Sequence, residues 1–253
     1  MHVLKSVVNV GAILAAGMAF AESEAPPAID PMAVEVIEGA ARFLSDQDQM
    51  SVRWFVSHDT VLEGREKITQ VRSGYSLLDR DQGFYGYLER DLATREYYFD
   101  GTNFTVNDPD NDAFAQIAFN GAFEDLVQRA KEEYNLDLPI WSVLSMQYKD
   151  DYLSAAEQAA YVGLTRVGGE VAHHIALSNY DEDWQIWIAD DPESPRILML
   201  VGTDPYTQGW PQYRAYFTDW DFAPEIIEGN FTFVPGENSE RMSWPKVPAG
   251  RGE

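Results

Sequence analysis

A chain of 253 residues with 42 Asp and Glu against 18 Lys and Arg carries a formal charge of −24, a surface that repels nucleic-acid phosphates and anionic headgroups. DNA, RNA and electrostatic membrane binding are therefore excluded, and the acidity is read as serving solubility, with cation binding as the alternative. Cysteine is absent, so stability must come from a packed core, and neither a disulfide nor a lipid-accepting thiol is available.

Taken in chain order, Lys5, the apolar run Val7 to Phe20 and the small-residue signal Ala19-Phe20-Ala21 read as a signal peptide over residues 1–21, cleaved before Glu22. That run is shorter than the ~20 residues a spanning helix needs, and no later run reaches that length, so no transmembrane segment is expected. Residues 22–29 form a polar leader. Asp30-Pro31 then supplies an N-cap and a first-turn proline, with Val34, Ile37, Ala41 and Leu44 on one helical face to about Leu44. From Ser51 the period becomes two, and turn signals at Gly64-Arg65 and Asp81-Gln82-Gly83 mark a meander of strands that continues to Phe119.

A helical stripe returns with Phe123, Leu126, Val127, Ala130 and Tyr134, and Ser154 with Glu157 predicts a capping box for a short helix ending near Tyr161. Strands are expected at 161–166, 170–178, 184–189, 196–201, 212–221 and 230–234. A sheet of about eleven strands does not stay flat. The expected fold is mainly β with a helical insertion: one large curved antiparallel sheet, a half-open β-barrel covered by its helices, spanning residues 30–242 ahead of a tail, 243–253. A two-sheet sandwich is the alternative, but sandwiches seldom carry a leading helix and a long helical insertion.

No pattern reaches the strength of a catalytic signature, and the chain is read as a non-enzyme without cofactors. Asp108, Asp110 and Asp112 have the spacing that opens a calcium loop, but Ala113 and Phe119 stand where Gly and Glu are required. His173 and His174 are adjacent on a strand, point to opposite faces, and cannot jointly chelate a metal in regular β geometry. No Gly-x-Ser-x-Gly elbow occurs. The aromatics exceed what a plain two-layer core needs. Trp54, Tyr75, Tyr97, Phe99, Phe104, Trp187 and Tyr216, with Leu126 from the helical stripe, are the candidate lining of an apolar cavity.

Several groups together, Gly163, Val167-Gly168-Gly169, Asp183-Trp184-Gln185-Ile186-Trp187-Ile188, Thr218-Asp219-Trp220-Asp221-Phe222-Ala223-Pro224 and Phe231-Thr232-Phe233-Val234-Pro235-Gly236, resemble in order and spacing a family of predicted bacterial periplasmic proteins, domain of unknown function 2092. That family is similar to the lipoprotein carriers LolA and LolB and to the sensor RseB. The chain departs from the family pattern in lacking an Arg-Pro pair around Leu78-Asp79-Arg80, and in having Trp141-Ser142 where an Asp follows Leu138-Pro139-Ile140. The resemblance implies a LolA-like half-barrel in the periplasm whose ligand is apolar: a lipid, an acyl chain or a lipoprotein. The alternative it implies is an RseB-type sensor or protein-interaction module without a small ligand.

Overall fold

The computed structural model describes residues 28–134, 139–145 and 153–244. The expected signal peptide, most of the expected leader and residues 245–253 lie outside those residues.

Helix α1 (Pro31–Ser45) begins as the sequence dictates: the Asp30 carboxylate accepts the Met32 N–H at 2.9 Å, and Pro31 occupies the first turn. Its buried face is Ala33, Ile37, Ala40, Ala41 and Leu44. Six strands follow as a meander: β1 (Gln49–Leu62), β2 (Glu66–Asp79), β3 (Gly83–Arg90), β4 (Ala93–Phe99), β5 (Asn103–Asp108) and β6 (Ala113–Ala118). Helices α2 (Phe123–Tyr134) and α3 (Pro139–Leu144) come next. The second meander is β7 (Gln158–Val167), β8 (Glu170–Ser178), β9 (Asp183–Ala189), β10 (Ile197–Thr203) and β11 (Gln212–Asp221), and β12 (Glu240–Met242) is the last described strand.

All twelve strands form one sheet in the order β12-β6-β5-β4-β3-β2-β1-β11-β10-β9-β8-β7. The first and last long strands, β1 and β11, are neighbours, so their pairing of Trp54 with Phe217 and His58 with Tyr213 welds the two meanders together. Among the twelve described strands β12 alone runs parallel to its partner, β6. The order is linear and its ends, β12 and β7, are not paired with each other. Inward residues from both halves, among them Phe84, Phe99 and Phe104 on one side and Ile175, Ile186 and Leu200 on the other, join α1, α2 and α3 in a single core cluster. A sheet whose two halves reach the same helices is curled around them, which is the half-open barrel.

The concave face needs glycine where rings lie flat on the strands. A Cβ on Gly74 would sit 2.3 Å from Trp54 and 2.2 Å from the Tyr87 carbonyl, and one on Gly202 would sit 2.8 Å from Trp184. The Trp54 indole N–H donates to Ser76 Oγ at 3.2 Å and is satisfied within the core.

Two expected elements differ. Residues 230–234 are not a strand. Phe231 is buried beside Gly83, and the Phe233 ring lies 5.5 Å from Tyr98 and 4.9 Å from Phe114, so the alternating aromatics anchor a strap across the convex face to β12. The capping-box helix before Tyr161 is also absent, because backbone partners hold that segment in extended form: the Glu157 N–H donates to Ser178, and Ala159 exchanges bonds with Ala28 and Asp30. Its extended form begins β7 at Gln158, three residues earlier than expected.

One side chain ties the helices to the sheet. Arg80, in the β2–β3 turn, pairs with Glu124 in the first turn of α2 and donates to the carbonyls of Gln47 at 2.9 Å, Leu44 at 3.3 Å and Leu144 at 3.5 Å. It thereby adds a charged donor to the carbonyls at the C-terminal ends of α1 and α3 while holding the start of α2. Lysine has no planar fork to serve those directions. Arg80→Lys is expected to destabilise the fold by roughly 2 kcal/mol, read as a lower urea midpoint at unchanged m-value.

Candidate functional site

The concave face divides into a clamped end and an open end. At the clamped end lie Arg80 and the buried Leu78, Phe84 and Phe99. From there α2 runs to Lys131 in its last turn, and α3 returns from Ile140 and Trp141 to the Leu144 carbonyl at Arg80. Trp141 is the hub between helix and sheet. Its ring stands edge-on to Phe84 and Tyr97, each at 5.2 Å, and to Phe104 at 5.9 Å, while Phe123 stacks on Phe84 at 4.5 Å.

At the open end a polar cavity of about 490 Å³ is lined by His58, Arg72, Lys131, Glu182, Trp184 and Tyr213, among others. Below it lies an apolar recess lined by Trp54, Leu88, Tyr97, Ile140 and Trp141, which holds only about 20 Å³ of empty space. Arg72 and Tyr213 line both. The Arg72 guanidinium lies 5.9 Å from the centre of the Tyr213 ring, so this cation–π pair forms the boundary between the two spaces.

The eight expected lining residues divide by strand parity. Trp54 and Tyr97 line the recess. Phe99, Phe104 and Leu126 are fully buried in the core around it. Tyr75 lies opposite Arg53, Trp187 opposite His174, and Tyr216 opposite Phe55, which places these three on the convex face. Arg53 lies 5.6 Å from the Tyr75 ring centre, and Trp187 stacks on His174 at 4.2 Å. Arg72, Tyr213 and Trp141 are the site residues that sequence reasoning missed. Arg72 shares its strand parity with Gly74 and Leu78 and was legible as concave-facing once β2 was given its inward side; Trp141 was noted only as a departure from a family pattern.

The remaining polar groups are engaged locally. Asp108 pairs with Arg95 at 2.9 Å and Asp110 accepts the Thr94 N–H, so these turn carboxylates serve the hairpin. Among the described residues no group of three or more Asp, Glu or His is arranged to hold a metal ion. The two histidines do point to opposite faces. His173 contacts the Tyr161 hydroxyl at 2.9 Å through Nδ1 and Asp190 at 3.1 Å through Nε2, and His174 Nε2 contacts Gln185 at 2.9 Å. Each is half-buried with its ring partnered, and neither lines the open-end cavity.

Asp59 fixes the rim of that cavity. Its buried carboxylate accepts from Thr69 Oγ1 at 2.7 Å and the Gln212 N–H at 3.1 Å, with Lys67 at 3.4 Å and Arg214 at 3.6 Å, tying β1, β2 and β11. Burial alone would raise its pKa, but the Thr69 and Gln212 hydrogen bonds and Lys67 outweigh that and hold it below the usual carboxylate value. A depressed folded-state pKa gives stability that is complete above the unfolded value near ~3.9 and is lost as pH falls through the folded value. Asp59→Asn is therefore expected to lower stability at pH 7 by roughly 3 kcal/mol. The gap from wild type should narrow steadily in urea melts taken at pH values below ~4.

No curated protein matches this sequence. Among solved structures the chain is similar to LprF from Mycobacterium bovis, at 9% identity, covering 80% of this chain and 98% of that one with a TM-score of 0.47. It is similar to the lipoprotein LppX from Mycobacterium tuberculosis at 11% identity, covering 78% and 100% with a TM-score of 0.45. A LolA superfamily protein from Nitrosomonas europaea is 12% identical, with 79% and 97% covered and a TM-score of 0.36. Residues 33–243 match the family described as predicted periplasmic protein, DUF2092, and the chain belongs to that family.

Proposed function

We propose that the protein binds and carries an apolar ligand, a lipid, an acyl chain or the lipidated end of a protein, on the concave face of its half-open barrel. The observation that carries this reading is that the open-end cavity and the aromatic recess beneath it are adjacent, with Arg72 and Tyr213 as their shared wall. The recess, at about 20 Å³, is far below the ~300 Å³ at which ligand pockets begin, so binding requires the helices to part from the sheet. The arrangement suits that motion. Arg80 holds the base of α2 and α3, while Lys131, Ile140 and Trp141 lie toward the open end, where the pair swings as a lid. The driving force is transfer of alkyl surface from water, roughly 0.8 kcal/mol per buried methylene.

A fluorescent fatty-acid titration tests this. The wild type should bind at ~10⁻⁶ M, the scale on which a carrier both loads and releases. Leu126→Glu and Tyr97→Asp, which put a charge into the core and the recess, should lose binding at temperatures where circular dichroism still reports a folded chain. Trp187→Ala should bind as wild type does, since that ring is on the convex face. Absence of binding by the wild type contradicts the reading.

A specific observation favours a second reading, the RseB-type interaction module. β7 is an edge strand whose outer side is covered at Ala159 by Ala28 and Asp30, and beyond that point Val162 and Leu164 are 57% and 58% exposed, a template for strand addition by another protein. Under that reading Leu164→Lys abolishes partner capture and no acyl probe binds. Both readings place the protein in the periplasm after removal of residues 1–21; N-terminal sequencing of the periplasmic protein should begin at Glu22, and an intact Met1 in that fraction would contradict export by cleavage.

A further inference from the structure

The open end of the concave face carries a concentration of positive charge at odds with the chain as a whole. Only 18 of 253 residues are basic, yet Arg72, Arg90 and Arg95 share one corner of the sheet. Register places them there. Arg72 on β2 lies directly opposite Arg90 on β3, and Arg95 on β4 lies opposite Leu88, one inward position from Arg90. All three have the parity of Leu78, Phe84 and Phe99, whose side chains are in the core, so all three belong to the concave face. Like charges directly opposite on neighbouring strands are destabilising.

Carboxylates nearby neutralise Arg95 and leave the corner net positive. Asp108 takes Arg95 at 2.9 Å, and Asp91 approaches Arg90 at 4.0 Å with both side chains largely in solvent, where such a pair contributes little. Among the described residues no carboxylate lies within ion-pair distance of Arg72, whose contact is the Tyr213 ring. The acids of the cavity wall are committed elsewhere: Asp59 to Thr69, Lys67 and Arg214, Glu182 to the Trp184 indole N–H at 2.8 Å, and Asp204 to the backbone N–H groups of Tyr206 and Thr207. Tyr97 reports on the corner from below. Burial pushes its phenol up, and the charges that pull it back are Arg95, Arg72 and Arg90. The guanidinium with no carboxylate partner is the one at the boundary between polar cavity and apolar recess.

We infer that this corner receives the anionic headgroup of an amphiphile, a carboxylate or phosphate gripped by Arg72 with Arg90 and Arg95 at its side, while the acyl tail passes Tyr213 into the recess below. The inference rests on the carrier reading of the same site and narrows its ligand to an acyl lipid with an acidic head. A guanidinium suits it because its planar fork meets carboxylate or phosphate oxygens two at a time and its faces stack on tyrosine.

The test compares three probes on the full mature chain: cis-parinaric acid, its uncharged methyl ester and inorganic phosphate. The acid should bind roughly tenfold tighter than the ester, as one charge-assisted contact implies. Arg72→Gln should remove that advantage while leaving the ester unchanged, and Arg72→Lys should restore part of it. Should Arg72→Gln misfold by circular dichroism, Arg90→Gln, at an exposed position, carries the same comparison. Equal binding of acid and ester by wild type and variant would overturn the headgroup site and leave the carrier reading standing. Failure of both acyl probes would overturn the carrier reading and this inference with it. Arg72-dependent phosphate binding without preference for the acid over the ester would make the corner a site for free anions, which also overturns the inference.

Discussion

One guanidinium joins the three α-helices among the described residues to the sheet. Arg80 leaves the β2–β3 turn and meets the carbonyl ends of α1 and α3 and an acid in the first turn of α2. A helix C-terminus has carbonyls with no intrahelical partner, and two such ends beside one five-donor cation form a joint that hydrophobic packing alone would leave free to slide. The direction of α2 and α3 follows from it. Both have their clamped ends at Arg80, so their other ends lie over the opposite end of the barrel, beside Tyr97 and Arg72.

That polarity gives the concave face two characters. Toward Arg80 it is a packed core in which Phe84, Phe99, Phe104 and Leu126 are excluded from water. Toward the open end the same strands place Arg72, Arg90 and His58 on positions that continue the inward row, and the recess narrows around Trp141. A chain with apolar residues along the whole row would have a filled barrel and no approach to it. Here the row changes from apolar to polar or cationic within a few residues on β1, β2 and β3, and the tryptophan that fills the recess is borne on a six-residue helix, the shortest of the three α-helices described.

The strands were legible in sequence because period-two alternation is strong from Val52 onward, and α1 was legible because Asp30-Pro31 states where a helix starts. The alternation at Phe231 and Phe233 misled, since a strap that presses alternate rings onto a sheet has the same pattern as a strand within it. Side was the harder question. Tyr75, Trp187 and Tyr216 look as much like cavity residues as Trp54 and Tyr97 do, and only pairing to Arg53, His174 and Phe55 places them on the convex face. Arg72 and Arg80 went unremarked as site and joint because an arginine's role depends on which carbonyls, rings and charges the fold brings to it, and those partners lie far away in sequence.

In the proposed binding mode a ligand's tail enters between α3 and the sheet while its head stays at the open end. Crystals grown with a fatty acid brominated at its terminal carbon test it directly, because bromine is located by its anomalous scattering without reference to any expected pose. The expected result is a bromine peak among Trp54, Tyr97 and Trp141, with α3 displaced and the carboxylate beside Arg72. A peak on the convex face near Tyr75 or Trp187, or along the β7 edge with α3 unmoved, would contradict it.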